Sequence, residues 1–185
     1  MPSRKPSRKV GTRKLTLIRE PQKQAAVKIS RELAMEFNKS VSIQELNSVD
    51  FNLLDFPAEA TCNVAHQILT TRFTQIEFEN AKLRKFIAKV GYKYQKYGNP
   101  FHNIHHGVTV MHGAYTLTRN TRFLSTFNEH HTFAFVVAAL CHDLNHPGRT
   151  NIYEEKIESR LANRYGDRSV LESYSIAKAL KLLTD

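Results

Sequence analysis

Histidine is concentrated in one part of this chain of 185 residues, because eight of the nine histidines lie between His102 and His146. Two short segments hold most of them: His-Asn-Ile-His-His at 102–106 and His-Asp-Leu-Asn-His-Pro-Gly at 142–148. Imidazole is the commonest protein ligand of transition metals, and a neighbouring carboxylate adds the negative charge that a hydrolytic divalent ion favours. The pattern therefore predicts a metal site, and with it a fold in which the two segments meet.

Length and composition are those of one folded domain. With 41% hydrophobic and 10% aromatic residues, the chain can bury a sizeable core, which excludes disorder of the whole chain. The longest apolar run, Phe133 to Cys141, is far too short to span a membrane, and the N-terminus has no signal-peptide pattern. We therefore expect a cytoplasmic protein in which Cys62 and Cys141 are reduced and structural.

Most of the net charge of +10 belongs to an N-terminal arm. Residues 1–28 hold nine Lys or Arg against Glu20 alone, a charge of +8, whereas eighteen basic and sixteen acidic residues leave the remainder at +2. The arm is rich in Pro, Ser and charge, so we predict that it is disordered and that the body is not a specific nucleic-acid-binding domain. The alternatives are a peripheral contact of the arm with an anionic membrane or nucleic acid, or phosphorylation of Ser7.

Apolar residues recur at helical spacing along the rest of the chain, with no alternating strand pattern and no internal repeat. The predicted helices span residues 22–39, 59–73, about 83–98, 130–143 and 169–183. Pro57 favours the start of the second of these, and a turn is predicted over 163–167. Residues 29–49 are interpreted as a helical lead-in to the main body. The predicted architecture is all-α.

The first histidine segment follows a helix-start signal. Asn99-Pro100 has the pattern of an N-cap followed by proline at the first helical position, which predicts a helix carrying this segment. On such a helix His102 and His106 share a face and His105 lies at its edge. Two of the three side chains can then point into one cavity.

The second segment follows nine apolar residues, so it lies at the end of a buried helix that Pro147-Gly148 terminates. Polar side chains at such a place need hydrogen-bond partners or a metal. We therefore take His106, His142 and Asp143 as candidate metal ligands. The isolated histidines are interpreted as ordinary core or surface residues; these are His66, His112, His130 and His131.

Three segments of the chain resemble sequence motifs of one protein family and occur in the same order as in that family. They are Asn99-Pro-Phe-His-Asn-Ile-His-His-Gly-Val-Thr-Val110, Leu140-Cys-His-Asp-Leu-Asn-His-Pro-Gly-Arg-Thr-Asn151 and Tyr165-Gly-Asp-Arg-Ser-Val-Leu-Glu172. They resemble the motifs Pro-Tyr-His-Asn-x-x-His-Ala-x-x-Val, His-Asp-x-x-His-Pro-Gly-x-x-Asn and Tyr-Asn-Asp-x-Ser-Val-Leu-Glu of class I 3′,5′-cyclic nucleotide phosphodiesterases. Residues 50–56 are similar to the start of that family's catalytic domain, so the resemblance covers about residues 50–185.

The resemblance implies an all-helical, HD-type metal phosphohydrolase that cleaves cAMP or cGMP to the 5′-nucleotide in signal transduction. It also implies two divalent metals, typically zinc and magnesium, with manganese as a substitute. The implied zinc ligands are His106, His142 and Asp143, and Asp143 would also reach the second metal. His102 would protonate the leaving O3′. The residues implied to orient ligands, metal-bound waters and the acid are His146, Asn151 and Glu172.

The chain departs from the motifs at several positions. Phe101 stands in place of the usual Tyr, Asn145 in place of a frequent Asp, and Gly166 in place of an Asn. Ser173-Tyr174-Ser175 replaces the Asn-His-His that follows the third motif. The resemblance stops at Asp185, about midway through such a domain and before its fourth zinc ligand, an Asp, its purine-holding Gln and its stacking aromatic residue.

Two functional classes remain open. The first is a cyclic nucleotide phosphodiesterase, and the second is a truncated, noncatalytic relative that binds metal or a protein partner covering its open core. A general HD-type phosphohydrolase acting on other nucleotides would share the His-Asp pair. It would not predict His102-Asn103 or the Ser169-Val-Leu-Glu172 element.

Overall fold

The computed structural model describes residues 41–120, 126–166 and 168–184. The basic arm and the helix predicted over 22–39 lie outside these ranges. All regular secondary structure within them is helical, so the all-α prediction is confirmed. None of the helices in these ranges is both long and apolar enough to cross a membrane.

Eight helices are found in the described part of the chain. They are α1 (Ile43–Leu46), α2 (Ala58–Arg72), α3 (Asn80–Gln95), α4 (Ile104–Asn120), α5 (Glu129–Cys141), α6 (Asn151–Lys156), α7 (Arg160–Tyr165) and α8 (Val170–Thr184). Helix α4 lies at the centre, where it packs against α2, α3 and α5. Helix α8 contacts α3, α5, α6 and α7. This arrangement brings the beginning of α4 next to the end of α5.

Side-chain caps set the starts of several helices. Asn128 accepts a hydrogen bond from the His131 amide at the start of α5, and Ser159 accepts one from the Ala162 amide at the start of α7. The cap at Ser159 explains why the turn predicted over 163–167 is wrong in its first part. A helix begins there and continues to Tyr165, and the chain turns only at Gly166, whose φ is +82°.

The predicted start of the helix that carries the first histidine segment is also wrong. Helix α4 begins at Ile104, and Asn103 acts as its cap by accepting hydrogen bonds from the amides of His105 (3.0 Å) and His106 (3.3 Å). The Asn99 amide group is used elsewhere, because it donates to the backbone oxygen of His146 at 2.7 Å. His102 therefore precedes the helix and does not share a helical face with His106.

The core fixes α4 against its neighbours. Its largest fully buried side chains come from five of the helices and the segments around them; they include Leu46, Ile68, Leu69, Phe73, Ile87, Tyr94, Ile104, Met111 and Leu140. Cys62 and Cys141 are buried, unpaired thiols, as predicted, and burial raises the pKa of each to about 12. Both cysteines act as small apolar residues of the packed interior.

Candidate metal centre

Three of the predicted side chains bring ligand atoms together. Nε2 of His106 lies 3.1 Å from Nε2 of His142, and each of these atoms lies 3.2 Å from Oδ2 of Asp143. His106 is in the first turn of α4, whereas His142 and Asp143 directly follow α5. Within the described ranges, this is the one group of three His, Cys, Asp or Glu side chains found to converge in this way.

The spacing of these atoms fits a divalent metal. Nitrogen and oxygen ligands bound tetrahedrally at about 2.0–2.2 Å from one ion lie roughly 3.3–3.5 Å from each other. The observed separations of 3.1–3.2 Å are within a few tenths of an ångström of this. Two imidazoles and one carboxylate are also a donor set found in catalytic zinc sites, which keep one coordination position open. The residues present therefore fit a metal.

The end of α5 sets the orientation of His142. Its Nδ1 lies 2.9 Å from the backbone oxygen of Ala139, one of the carbonyl groups in the last turn of the helix. A carbonyl oxygen only accepts hydrogen bonds, so Nδ1 carries the proton and Nε2 of the neutral ring presents its lone pair. A second bond of this kind fixes both the tautomer and the ring plane of a metal-binding histidine.

The charges of the group keep the Asp143 carboxyl ionised. Burial by itself would raise the pKa of Asp143, but the hydrogen bond and charge of His142, with further contributions from His146 and His102, lower it to about 2. The hydrogen bond to Asp143 in turn raises the pKa of His142. Burial and the charge of His142 lower the pKa of His106. Asp143 is therefore ionised at neutral pH.

His102 lies at the open edge of the group. Its Nε2 is 3.8 Å from Oδ2 of Asp143, and its ring stacks on that of His146 with centroids 3.8 Å apart and planes at 15°. One third of the His102 side chain is exposed, and the exposed ring of Phe101 flanks it at 5.1 Å. His102 is thus close to the candidate ligands yet open to solvent, a position suited to a group that exchanges a proton with a bound molecule.

His146 is held by the backbone of its own loop. Its Nδ1 accepts a hydrogen bond from the Gly148 amide at 3.0 Å, so Nε2 carries the proton of the neutral ring. Burial and the nearby His102 lower its pKa. Gly148 has a φ of +74°, and a Cβ there would lie 2.6 Å from Oδ1 of Asn99. Glycine is therefore favoured at this position both by its backbone conformation and by the approach of the Asn99 side chain.

Asn151 and Glu172 contact each other. Nδ2 of Asn151 lies 3.0 Å and 3.3 Å from the two carboxylate oxygens of Glu172, and its Oδ1 accepts a hydrogen bond from the Leu171 amide at 2.9 Å. This pair joins the first residue of α6 to the first turn of α8. The Glu172 charge also acts on His146, where it opposes the lowering of the pKa.

Tyr94 supports the site, a role that was not predicted from the sequence. Its buried hydroxyl donates to the backbone oxygen of Leu140 at 2.8 Å and accepts a hydrogen bond from the Asp143 amide at 3.4 Å. Gly107 makes room for the ring, since a Cβ there would lie 2.8 Å from Tyr94 atoms. In the sequence, Tyr94 continues the apolar positions of α3, such as Ile87 and Val90, and therefore reads as an ordinary core residue. The available signal was that a buried tyrosine hydroxyl needs a partner.

The remaining histidines lie outside the candidate site and are ordinary core or surface residues, as predicted for four of them. Nε2 of His112 lies 2.8 Å from the Leu46 oxygen, and Nε2 of His66 lies 2.8 Å from Oδ1 of Asn80. His130 and His131 are exposed. His105, which the sequence placed at the edge of the histidine face, turns instead to the backbone oxygen of Phe56 at 2.7 Å.

Residues 101–185 match the family model described as 3′5′-cyclic nucleotide phosphodiesterase. The chain is 31% identical over 120 residues to the "cGMP-specific 3′,5′-cyclic phosphodiesterase delta" of Plasmodium falciparum, an alignment covering 65% of this chain and 14% of the relative. It is 37% identical over 102 residues to the "High affinity cGMP-specific 3′,5′-cyclic phosphodiesterase 9A" of Drosophila melanogaster, covering 55% of this chain and 6% of the relative.

The fold is likewise similar to a solved one. The crystal structure of the phosphodiesterase domain of the RhoPDE fusion protein from the choanoflagellate Salpingoeca rosetta matches with a TM-score of 0.71 and 33% identity, over 84% of this chain and 46% of that chain. The chain thus spans less than half of the solved domain and a smaller share of both relatives. Residues 101–185 are thus similar in sequence to the 3′,5′-cyclic nucleotide phosphodiesterase family, and the described fold is similar to a solved phosphodiesterase domain.

Proposed function

We propose that this chain carries metal-binding residues of an enzyme that hydrolyses 3′,5′-cyclic nucleotides to 5′-nucleotides. The observation that carries the proposal is the convergence of His106, His142 and Asp143 to separations of 3.1–3.2 Å, inside the segment that matches the family. The two relatives compared above are named for cyclic GMP. The proposal covers cyclic AMP as well, because none of the described contacts selects a purine.

In this proposal His106, His142 and Asp143 would hold zinc, and Asp143 would also be a ligand of a second ion, magnesium or manganese. When bound, divalent ions activate water as a nucleophile and neutralise charge on the phosphoryl oxygens. The chain supplies a preorganised carboxylate, ionised at neutral pH because its pKa is held near 2. It also supplies the Nε2 lone pair of His142, fixed by the bond between its Nδ1 and Ala139.

His102 is the proposed general acid. Water attacks the phosphorus atom and releases a proton to the solvent, the bond between phosphorus and O3′ breaks, and the proton of the His102 imidazolium passes to the leaving oxygen. The product is a 5′-monophosphate with a free 3′-hydroxyl. The partly exposed edge position of His102, with Nε2 3.8 Å from Asp143, supports this role. Histidine is also the side chain that most often transfers protons in enzymes.

His146, Asn151 and Glu172 are proposed to orient the ligands, metal-bound waters and the acid. The stacking of His146 on His102 supports its role in orienting the acid. The hydrogen bonds between Asn151 and Glu172 support a role of this pair in positioning the start of α8. The proposed catalytic region begins at residue 50, after the lead-in of residues 29–49. The cytoplasmic location and the role of the arm stay predictions.

The test is an assay of the 185-residue chain with zinc and magnesium, using cyclic AMP and cyclic GMP separately and detecting the 5′-nucleotide by chromatography. His102→Ala and His142→Ala are measured beside the wild type. Formation of 5′-nucleotide by the wild type that both substitutions abolish would support the proposal. Turnover that survives His142→Ala, or depends on neither metal, would refute the assigned site.

The second candidate function is binding of metal or a protein partner without turnover. Exposed apolar side chains on two helices favour it; those on α6 and α8 include Ile152, Ile176, Leu180 and Leu183. Metal binding that His106→Ala abolishes, in a chain that forms no 5′-nucleotide, would support this alternative.

A further inference from the structure

Two positions at which the chain departs from the family motifs contact each other. Asn145 lies between Asp143 and His146 and is only 2% exposed, whereas Tyr174 lies on α8 and is 8% exposed. Nδ2 of Asn145 donates a hydrogen bond to the Tyr174 hydroxyl. The bond joins two segments 29 residues apart, the turn that follows α5 and the middle of α8.

The turn around Asn145 has a demanding backbone. Asn145 has a φ of +69°, in the left-handed region that few side chains other than asparagine tolerate. The Leu144 amide donates to the Cys141 oxygen and the His146 amide to the Asp143 oxygen, both at 3.0 Å. This reversal directs Asp143 toward the candidate ligands while the next histidine stacks on His102.

The Asn145 side chain depends on this one bond. Its Oδ1 is buried and has no hydrogen-bond partner among the described residues, so the bond from Nδ2 is the compensation for burying the amide group. On the other side, α8 holds Tyr174 in place by packing against α3 and α5. Burial and the neighbouring Tyr97 raise the pKa of Tyr174 to about 12, so its hydroxyl stays protonated.

We infer that Asn145 and Tyr174 are positioning residues of the metal centre, whose hydrogen bond ties α8 to the turn that carries Asp143 and His146. The inference rests on the proposed function, because it concerns the same site. Without the bond, the turn exchanges between several arrangements, and the Asp143 carboxylate is no longer preorganised beside the two imidazoles. Groups that hydrogen-bond a metal ligand directly contribute about 10-fold to 100-fold to metal affinity, and a bond one step further from the ligands should lie at the lower end of that range.

The experiment uses the 185-residue chain and Co²⁺, which reports its ligands through visible absorption. Tyr174→Phe removes the hydroxyl, and Asn145→Gly removes the amide while keeping a residue that accepts positive φ. We expect each variant to bind Co²⁺ about tenfold more weakly than the wild type. The double variant should be no weaker than either single variant, since both remove the same bond.

Tyr115→Phe is the matched control. Tyr115 is also buried, and its hydroxyl is also hydrogen-bonded to an asparagine, in this case as the donor to Oδ1 of Asn47 at 2.7 Å. It lies nine residues after His106 on α4, which is about 13 Å along the helix. This variant loses a comparable bond far from the turn, so its Co²⁺ affinity should stay within about twofold of the wild type.

Amide hydrogen exchange of the metal-free protein gives a second readout. The amides of Leu144 and His146 should exchange faster in Tyr174→Phe and Asn145→Gly than in the wild type, and not in Tyr115→Phe. If Tyr174→Phe does not fold, Asn145→Gly with the same control carries the test alone.

The inference fails if the wild type binds Co²⁺ and both variants match it in affinity and exchange, an outcome that leaves the proposed function intact. It also fails if Tyr115→Phe weakens binding equally, because the loss would then reflect general stability. Absence of Co²⁺ binding by the wild type would refute the proposed metal site and the inference together.

Discussion

His106 and His112 lie on the same helix, six residues apart, and their ring nitrogens meet different surroundings. Nε2 of His112 faces a single backbone oxygen, that of Leu46 at 2.8 Å, and its side chain is buried. Nε2 of His106 faces an imidazole nitrogen and a carboxylate oxygen at 3.1–3.2 Å. One carbonyl satisfies a neutral imidazole, whereas three converging lone pairs are best satisfied by a shared cation. The contacts of the ring nitrogen therefore distinguish a candidate metal ligand from a core histidine.

The glycines that follow the two histidines differ in the same way. A Cβ on Gly107 would lie 2.8 Å from the Tyr94 ring, whose hydroxyl accepts a hydrogen bond from Asp143. A Cβ on Gly113 would meet nothing within 4 Å. Gly107 thus lies against the packed interior, whereas Gly113 faces open space.

The largest expected effect comes from His106→Ala. Only one imidazole and one carboxylate would remain, so we expect zinc affinity to fall by at least about 100-fold, measured by isothermal titration calorimetry. In the control His112→Ala, zinc affinity should be unchanged, while the free energy of unfolding in urea falls by about 1–3 kcal/mol because the Leu46 carbonyl loses its partner. Equal zinc affinity of His106→Ala and the wild type would show that the ligand assignment is wrong.

His102→Ala tests the acid separately from the ligands. We expect kcat for cyclic nucleotide hydrolysis to fall by about 10²-fold to 10⁴-fold, the usual contribution of a general acid, with zinc affinity unchanged. His105→Ala is the control. His105 belongs to the same histidine segment but contacts the Phe56 oxygen, so its substitution should leave kcat unchanged. A loss of zinc in His102→Ala would instead make His102 a ligand.

Zinc should stabilise the folded chain only when His106 is present, whereas His112 should not matter for this effect. At a free zinc concentration of 100 times Kd, binding to the folded chain should add about 2.7 kcal/mol to the free energy of unfolding. For a chain of this length that is a rise in Tm of roughly 5–10 °C. Scanning calorimetry should show the rise for the wild type and for His112→Ala, and chelation should reverse it. A similar rise in His106→Ala would point to zinc bound at some other site.

The smallest expected effects concern the two glycines. Gly107→Ala should lower the free energy of unfolding by about 1–3 kcal/mol, because the new methyl group overpacks the Tyr94 ring. Gly113→Ala should raise it by about 0.5–1 kcal/mol, since alanine is the better helix former at an exposed position. Urea denaturation of both variants measures the difference. If both substitutions were stabilising, the close packing of Tyr94 would not constrain Gly107.

The sequence predicted the helical architecture and the candidate ligands for a definite reason. Helical periodicity and the His-Asp pair after an apolar run are local patterns, and each can be recognised within a few residues. The helix start near Asn99-Pro100 was wrong because the Asn99 side chain bonds to His146, 47 residues away, and Asn103 takes its place as the cap. The role of Tyr94 was missed for the same reason, since its partners Leu140 and Asp143 lie on another part of the chain.

By itself, the sequence determined which side chains were available for the site and which stretches form helices, because those properties depend on residue type and on neighbours within a turn or two. Only the tertiary structure decided what each ring nitrogen contacts. His106 and His142 are 36 residues apart, and their nitrogens reach 3.1 Å because the packing of α4 on α5 fixes the distance. Close packing specifies positions to fractions of an ångström, a precision that no local pattern of residue types carries.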